Sequence, residues 1–260
     1  MADDMILKVR GLKKHYPVEG GLLKRVKGMV RAVDDVSFDL ARGEVLGLVG
    51  ESGSGKTTLG RCVVRAIDPT DGEVILRPPD GDAVDLACAN KTELHHLRVH
   101  MNMVFQDPFS SLSPRLTVRE IIAEPLRAHG YPAGDIDAKV DEMATLVGLN
   151  AGHLQRFPNA FSGGQRQRIC IARALITNPV LVVADEPVSA LDVSIQAQIL
   201  NLLQRLQREL GLTFLFVAHD LSVVQHIADR VAVMYVGKII ELVPTEALYQ
   251  SPRHPYTEAL

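Results

Sequence analysis

The run Gly50-Glu51-Ser52-Gly53-Ser54-Gly55-Lys56-Thr57 constrains this chain more than any other stretch of it. It fits the pattern G-x-x-x-x-G-K-S/T, in which glycines let backbone N–H groups converge on phosphate oxygens, a lysine adds a cation and a hydroxyl offers a magnesium ligand. The pattern acquires chemical meaning when it sits between a strand and a helix. Val45-Leu46-Gly47-Leu48-Val49 is a short apolar run leading into it, and a helical pattern from about Lys56 to Ala66 follows. This context predicts a phosphate-binding loop: Gly50, Ser52, Gly53, Ser54 and Gly55 shape the cradle, Lys56 sits between β- and γ-phosphates, Thr57 binds Mg²⁺ and Thr58 lies near the α-phosphate. A glycine-rich turn that binds nothing is the competing reading, and the flanking elements argue against it.

Leu181-Val182-Val183-Ala184 and Thr213-Phe214-Leu215-Phe216-Val217 are likewise strands apolar on both faces. Between them Ile195, Ile199, Leu202, Leu203 and Leu206 recur at helical spacing from Ser194 to Leu210, ending at Gly211. Strand, helix and strand in that order make a parallel crossover, so the fold class is α/β, a P-loop NTPase parallel-sheet core. Ile6 to Val9, Arg31 to Leu40 and Val74 to Leu76 read as strands of a small antiparallel β subdomain, with a turn at Arg42-Gly43-Glu44. From Asp107 to Ala160 the texture changes to scattered prolines and helical patches, one opened by Thr117 with Glu120 three residues on, a capping-box pattern. The expected organisation is one unit over 1–260, with 1–106 and 161–260 forming the nucleotide-binding core and 107–160 an inserted α-helical subdomain.

Composition bounds the function. Lys and Arg total 28 against 31 Asp and Glu, a formal charge of −3 that supplies no global pull toward nucleic acid. Cys62, Cys88 and Cys170 lie far apart without metal-ligand spacing and read as reduced packing residues of a cytosolic protein. Met1-Ala2-Asp3-Asp4 is acidic where a signal peptide is basic, and no apolar run approaches the ~18 residues that span a bilayer.

Asp185 ends an apolar strand, where a carboxylate can reach Mg²⁺, and Glu186 follows it. Adjacent residues at a strand end point different ways, so one can hold metal while the other orients and deprotonates a water in phosphoryl transfer. Ser162-Gly163-Gly164-Gln165 opens a further helix, with a serine N-cap and two glycines that leave the first N–H groups free to grip an anion. Ser-Gly-Gly-Gln-Arg-Gln-Arg between a P-loop and an Asp-Glu strand end resembles the signature of ATP-binding-cassette (ABC) ATPases, and the resemblance covers nearly the whole chain.

That resemblance implies several roles. Ser162, Gly163, Gly164 and Gln165 would close on the γ-phosphate held by another subunit's P-loop, in a head-to-tail sandwich with two ATP at its interface. Gln106 matches the Q-loop glutamine, a contact to Mg²⁺ and water; Asp192, in Ser189-Ala190-Leu191-Asp192, matches the D-loop, though it could also cap the next helix. His219 matches the switch histidine and Tyr16 the aromatic that stacks on adenine, with His15 as its competitor. The stretch Pro17 to Val30, with Gly20, Gly21, Lys24, Arg25, Lys27 and Gly28, and the run Ser251-Pro252-Arg253-His254-Pro255-Tyr256-Thr257 are similar to features of oligopeptide and dipeptide importer ATPases. Phe161 stands where many members have Leu, another resemblance to that branch. The implied protein is the ATPase of an importer for peptides or similar small solutes, peripheral at the cytoplasmic face of the membrane. Its implied partners are permease subunits, a second ABC ATPase and, indirectly, a solute-binding protein. A DNA- or ribosome-acting relative would need a long coiled-coil insertion or two cassettes, and a small-molecule kinase would not need the Ser-Gly-Gly-Gln helix start.

Overall fold

The computed structural model describes residues 5–20, 25–79 and 81–260; Met1 to Asp4, Gly21 and Lys24, which entered the sequence reading, lie outside the described residues. β1 (Met5–Gly20) and β2 (Arg25–Ala41) pair antiparallel, Leu7 opposite Leu40 and Tyr16 opposite Val30. The short strands and loop expected here are therefore one long ladder that runs on through Pro17 and Met29. Lys13 is the last β1 residue paired with β4 (Asp71–Leu76). Beyond it β1 has a partner on one side, the edge setting in which a strand tolerates proline. Between β2 and β4 come β3 (Val45–Val49) and α1 (Lys56–Val63). The helix stops short of Ala66 because Arg65 turns to a left-handed φ of 53°.

β5 (Val84–Asp85) completes a four-stranded sheet in the order β2-β1-β4-β5. After α2 (Lys91–Leu97) comes β6 (Met101–Val104), a strand the sequence reading did not identify. Then follow α3 (Pro108–Ser111), α4 (Val118–Ala128), α5 (Ala133–Leu146) and two 3₁₀ turns, Ala151–His153 and Pro158–Ala160. The Thr117 capping box is formed: the Thr117 N–H donates to Glu120 Oε2 at 2.7 Å.

α6 (Gly163–Leu175), β7 (Leu181–Asp185), α7 (Val193–Leu210), β8 (Thr213–Val217), α8 (Leu221–Ile227), β9 (Arg230–Tyr235), β10 (Lys238–Pro244), α9 (Thr245–Gln250) and α10 (Pro255–Ala259) follow. α7 ends where Gly211 takes a φ of 64°. The larger sheet has the order β10-β9-β3-β8-β7-β6, parallel from β9 through β6.

Successive residues of its strands serve opposite cores. Val45, Val49, Val182, Ala184, Phe214 and Phe216 pack with α4 to α8; Leu46, Leu48, Leu181, Val183, Leu215 and Val217 pack with α1 and the four-stranded sheet. Burial on both faces is why these strands are continuously apolar rather than alternating. Cys62 and Cys170 are buried as expected of packing residues, whereas Cys88 is exposed in a turn. No helix among the described residues is long and apolar enough to cross a membrane.

Candidate nucleotide-binding site

The parallel strands deliver their C-terminal ends to one edge of the sheet, where ligands of open α/β folds bind. β3 leads there into the loop Gly50–Gly55, which delivers Lys56 to the first turn of α1. Two glycines are dictated by close approach. A Cβ on Gly50 (φ 148°) would lie 2.1 Å from the Met234 carbonyl oxygen, and one on Gly55 (φ 106°) would lie 1.9 Å from that of Ala32. The loop is thus pressed against β9 and β2, and no side chain fits. A cleft of about 220 Å³ opens above it, lined by Ala32, Ser52, Gly53, Gly55, Lys56, Thr57, Thr58, Gln106 and Glu186.

Lys56 is buried and bends back on its own loop, donating from Nζ to the carbonyls of Gly50 at 2.6 Å and Glu51 at 2.8 Å. Burial holds its ammonium below the usual lysine range, with Glu186 and Asp185 pulling it back. Thr57 Oγ1 donates to Asp185 Oδ1 at 2.8 Å. Asp185 is fully buried at the end of β7 and its Oδ2 has no hydrogen-bond partner among the described residues. Burial raises its pKa above the ordinary 3.8, opposed mainly by the Thr57 bond and by Arg61. An orphaned carboxylate oxygen beside a threonine hydroxyl is a hard-oxygen donor set that fits Mg²⁺.

Glu186, next in sequence, has a left-handed backbone, φ 46°, a costly conformation for a non-glycine residue that its surroundings enforce. The Glu186 carbonyl accepts from Ser189 Oγ at 3.1 Å. Its carboxylate Oε2 accepts from Gln106 Nε2 at 3.0 Å and lies 3.2 Å from His219 Nδ1. Gln106 follows β6, Glu186 follows β7 and His219 follows β8, so neighbouring strand ends converge on one oxygen.

The other expected residues lie elsewhere. Ser162 caps α6 in a reciprocal box, its N–H donating to Gln165 Oε1 at 3.1 Å. That helix starts at Gly163, and none of Ser162 to Gln165 lines the cleft. Gly164 has a second reason to be glycine: a Cβ there would meet Ile195 Cγ2 at 2.6 Å, so α6 and α7 approach closely. Asp192 occupies the N-cap position of α7 but makes no side-chain cap bond. Tyr16 is exposed, with Lys14 Nζ 5.0 Å from its ring centroid. Its competitor His15 is taken up by Asp34, Nε2 to Oδ1 3.0 Å. Sequence reasoning missed Ala32, which meets the loop through its backbone and so carries no side-chain signal.

Residues 33–189 match the model of the ABC transporter family. The chain belongs to that family. This ABC protein is 52% identical over 258 residues to the oligopeptide transport ATP-binding protein AppF of Bacillus subtilis, an alignment covering 99% of this chain and 77% of the relative. It is 51% identical over 256 residues to the glutathione import ATP-binding protein GsiA of Escherichia coli, covering 98% of this chain and 40% of that one. Its fold superposes on the dimeric post-hydrolysis state of the ATP-binding cassette MJ0796 bound to ADP and Pi, with TM-score 0.78 and 29% identity over 92% of this chain and 98% of the other. A similar match, TM-score 0.79 and 26% identity over 96% and 92%, is to cbiO1 of Clostridium perfringens, part of the ABC transporter complex cbiONQ. The ABC protein is thus an α/β P-loop ATPase, with its antiparallel sheet beside the parallel one.

Proposed function

We propose that this chain is the ATP-hydrolysing subunit of an importer for oligopeptides, dipeptides or similar small solutes, working as a head-to-tail dimer at the cytoplasmic face of the membrane. The observation that carries the hydrolytic part is the sharing of Glu186 Oε2 by Gln106 and His219 at the rim of the Lys56 cleft. Both bonds fall on Oε2, so Oε1 is the oxygen we assign to the attacking water, which Glu186 orients and deprotonates. Gln106 and His219 hold that carboxylate in place. Lys56 exchanges two carbonyl bonds for phosphate oxygens, a stronger charge-assisted pairing. Thr57 and Asp185, with Gln106, would hold Mg²⁺, whose charge offsets that of the phosphates. Gly50 and Ser52 to Thr58 cradle the phosphates, and Tyr16 stacks on the base.

The signature residues Ser162 to Gln165 and Asp192 stand outside this cleft, and we assign them to the cleft of a second ATPase, whether a copy or a related chain. The α6 N-terminus, whose Gly163 and Gly164 N–H groups lie outside the Ser162–Gln165 box, suits a γ-phosphate presented from across an interface. The peptide assignment rests on the AppF resemblance and the importer-like run Ser251 to Thr257. The helices of 107–160 form the inserted subdomain that receives the permease. A groove lined by Arg61, Phe105, Gln106, Asp107, Ser110 and Arg173 lies beside Gln106 at the start of that subdomain and has the form that takes a partner helix. The solute-binding protein acts at a distance through the permease, and no nucleic acid takes part. Cysteines placed from Ser110 to Arg115 should crosslink to a permease subunit in membranes containing both proteins. Capture of none, with permease present, would contradict the importer reading.

A further inference from the structure

The run Ser251 to Thr257 folds back onto the phosphate loop. α10 is docked by a buried carboxylate: Glu241 on β10 accepts the Thr257 hydroxyl at 2.8 Å and the Arg253 N–H at 3.1 Å. His254 caps the helix, its Nδ1 accepting from the Tyr256 N–H at 3.1 Å. So held, Tyr256 lays its ring against that of Tyr235, centroids 4.4 Å apart, and its hydroxyl accepts the backbone N–H of Glu51 at 2.8 Å. Glu51 is the second residue of the P-loop, and its carbonyl is one of the two that Lys56 grips.

The turn between β9 and β10 reaches the same loop from the other side, where the Gly237 N–H donates to the Ser54 carbonyl at 2.9 Å. Tyr235, at the end of β9, thus stands between two struts. We propose that Tyr256 is a positioning residue for the P-loop, fixing the Glu51 peptide so that the empty loop already has the shape that receives a nucleotide's phosphates. The inference rests on the reading of Gly50 to Thr57 as the nucleotide site and goes beyond it in giving the C-terminal run a task there.

The chemistry sets what the tyrosine does. Neither Tyr256 nor Glu51 lines the cleft, so the tyrosine neither touches substrate nor takes part in proton transfer. It removes conformational freedom from the loop before binding, and preorganisation of this kind appears in affinity rather than in turnover. Tyr256→Phe keeps the ring stack and deletes one hydrogen bond; Thr257→Val loosens the dock on Glu241 and leaves the tyrosine intact.

Titration calorimetry with MgADP, beside steady-state ATPase assays, reads the effect. Tyr256→Phe should raise the Kd for MgADP and the KM for ATP by about 3- to 10-fold, the range one neutral hydrogen bond spans, leaving kcat and the melting temperature of the empty protein unchanged. Thr257→Val should act in the same direction, and the double variant should be no worse than the stronger single one. Lys56→Ala, assayed alongside, should bind MgATP far more weakly than either. Unchanged Kd and KM in folded Tyr256→Phe, with Lys56→Ala impaired, would overturn the positioning role and leave the nucleotide site standing. A Tyr256→Phe variant with reduced kcat at unchanged KM, or with affinity lost only in step with a fall in melting temperature, would overturn it too. Unchanged binding in Lys56→Ala would remove both readings together.

Discussion

Asp185 holds its place at the end of β7 at a cost. It is fully buried, one oxygen is satisfied by Thr57 and the other by no group among the described residues, and burial lifts its pKa above 3.8. A carboxyl with a raised folded-state pKa stabilises the fold fully below its unfolded value, and that contribution fades as pH rises through the raised one. At neutral pH the ionised group therefore costs stability when no cation faces it. Asp185→Asn keeps an acceptor for Thr57 and removes the charge, so the nucleotide-free variant should be more stable at pH 7 by ~0.5–2 kcal/mol, the usual scale for relieving a strained functional group. The gap should close as pH falls into the carboxylate range. MgATP should raise the melting temperature of the wild type and much less that of the variant. Thermal melts across pH, with and without MgATP, check both, and a variant less stable at pH 7 without ligand would show that Asp185 is structural.

Among elements, the seam between α6 and α7 ties the start of one helix to the start of the other, since the space that Gly164 lacks a Cβ to fill is taken by Ile195. Gly164→Ala would force a contact at 2.6 Å and should cost ~1–3 kcal/mol, as overpacking does. Ile195→Ala should restore most of that loss in the double variant, measured by chemical denaturation; independent, additive losses would show that the seam has room. The same seam shows what the sequence could tell. The serine cap and the two glycines announced a helix start, but nothing local said that one glycine answers a residue on another helix. β3, β7 and β8 were legible because burial on both faces makes them uniformly apolar. β6 was not: Asn102 interrupts Met101 to Val104, its amide bonded to Thr177 Oγ1 at 3.1 Å. β9 and β10 were missed too, although Val236 and Gly237, both at positive φ, form the tight turn that joins them. Pro17 to Gly20 and Arg25 to Val30 read as part of a loop because proline and glycine depress strand propensity, whereas long-range pairing makes them strand.

At the scale of the molecule, the two groups of residues we assign to the nucleotide do not meet within one copy. The residues we assign to phosphate, metal and water, Lys56, Thr57, Asp185 and Glu186, gather at the strand ends, while Ser162 to Gln165 start a helix that contributes nothing to that cleft. Sequence order suggested both groups; their separation in one copy became visible only in three dimensions. The account's central claim is that ATP completes the site between two such molecules and that Glu186 then spends it. Glu186→Gln preserves the binding contacts and deletes the base, so hydrolysis should fall by ~10²–10⁴. The facing donors and cations should still be neutralised by ATP, and the variant should accumulate as a dimer. Light scattering with and without MgATP, beside phosphate release, measures this directly. The account predicts a nucleotide-dependent dimer that does not turn over. A variant that hydrolyses ATP at the wild-type rate would contradict the role of Glu186, and one that binds ATP without hydrolysis yet stays monomeric, even with its partner ATPase supplied, would contradict the shared site.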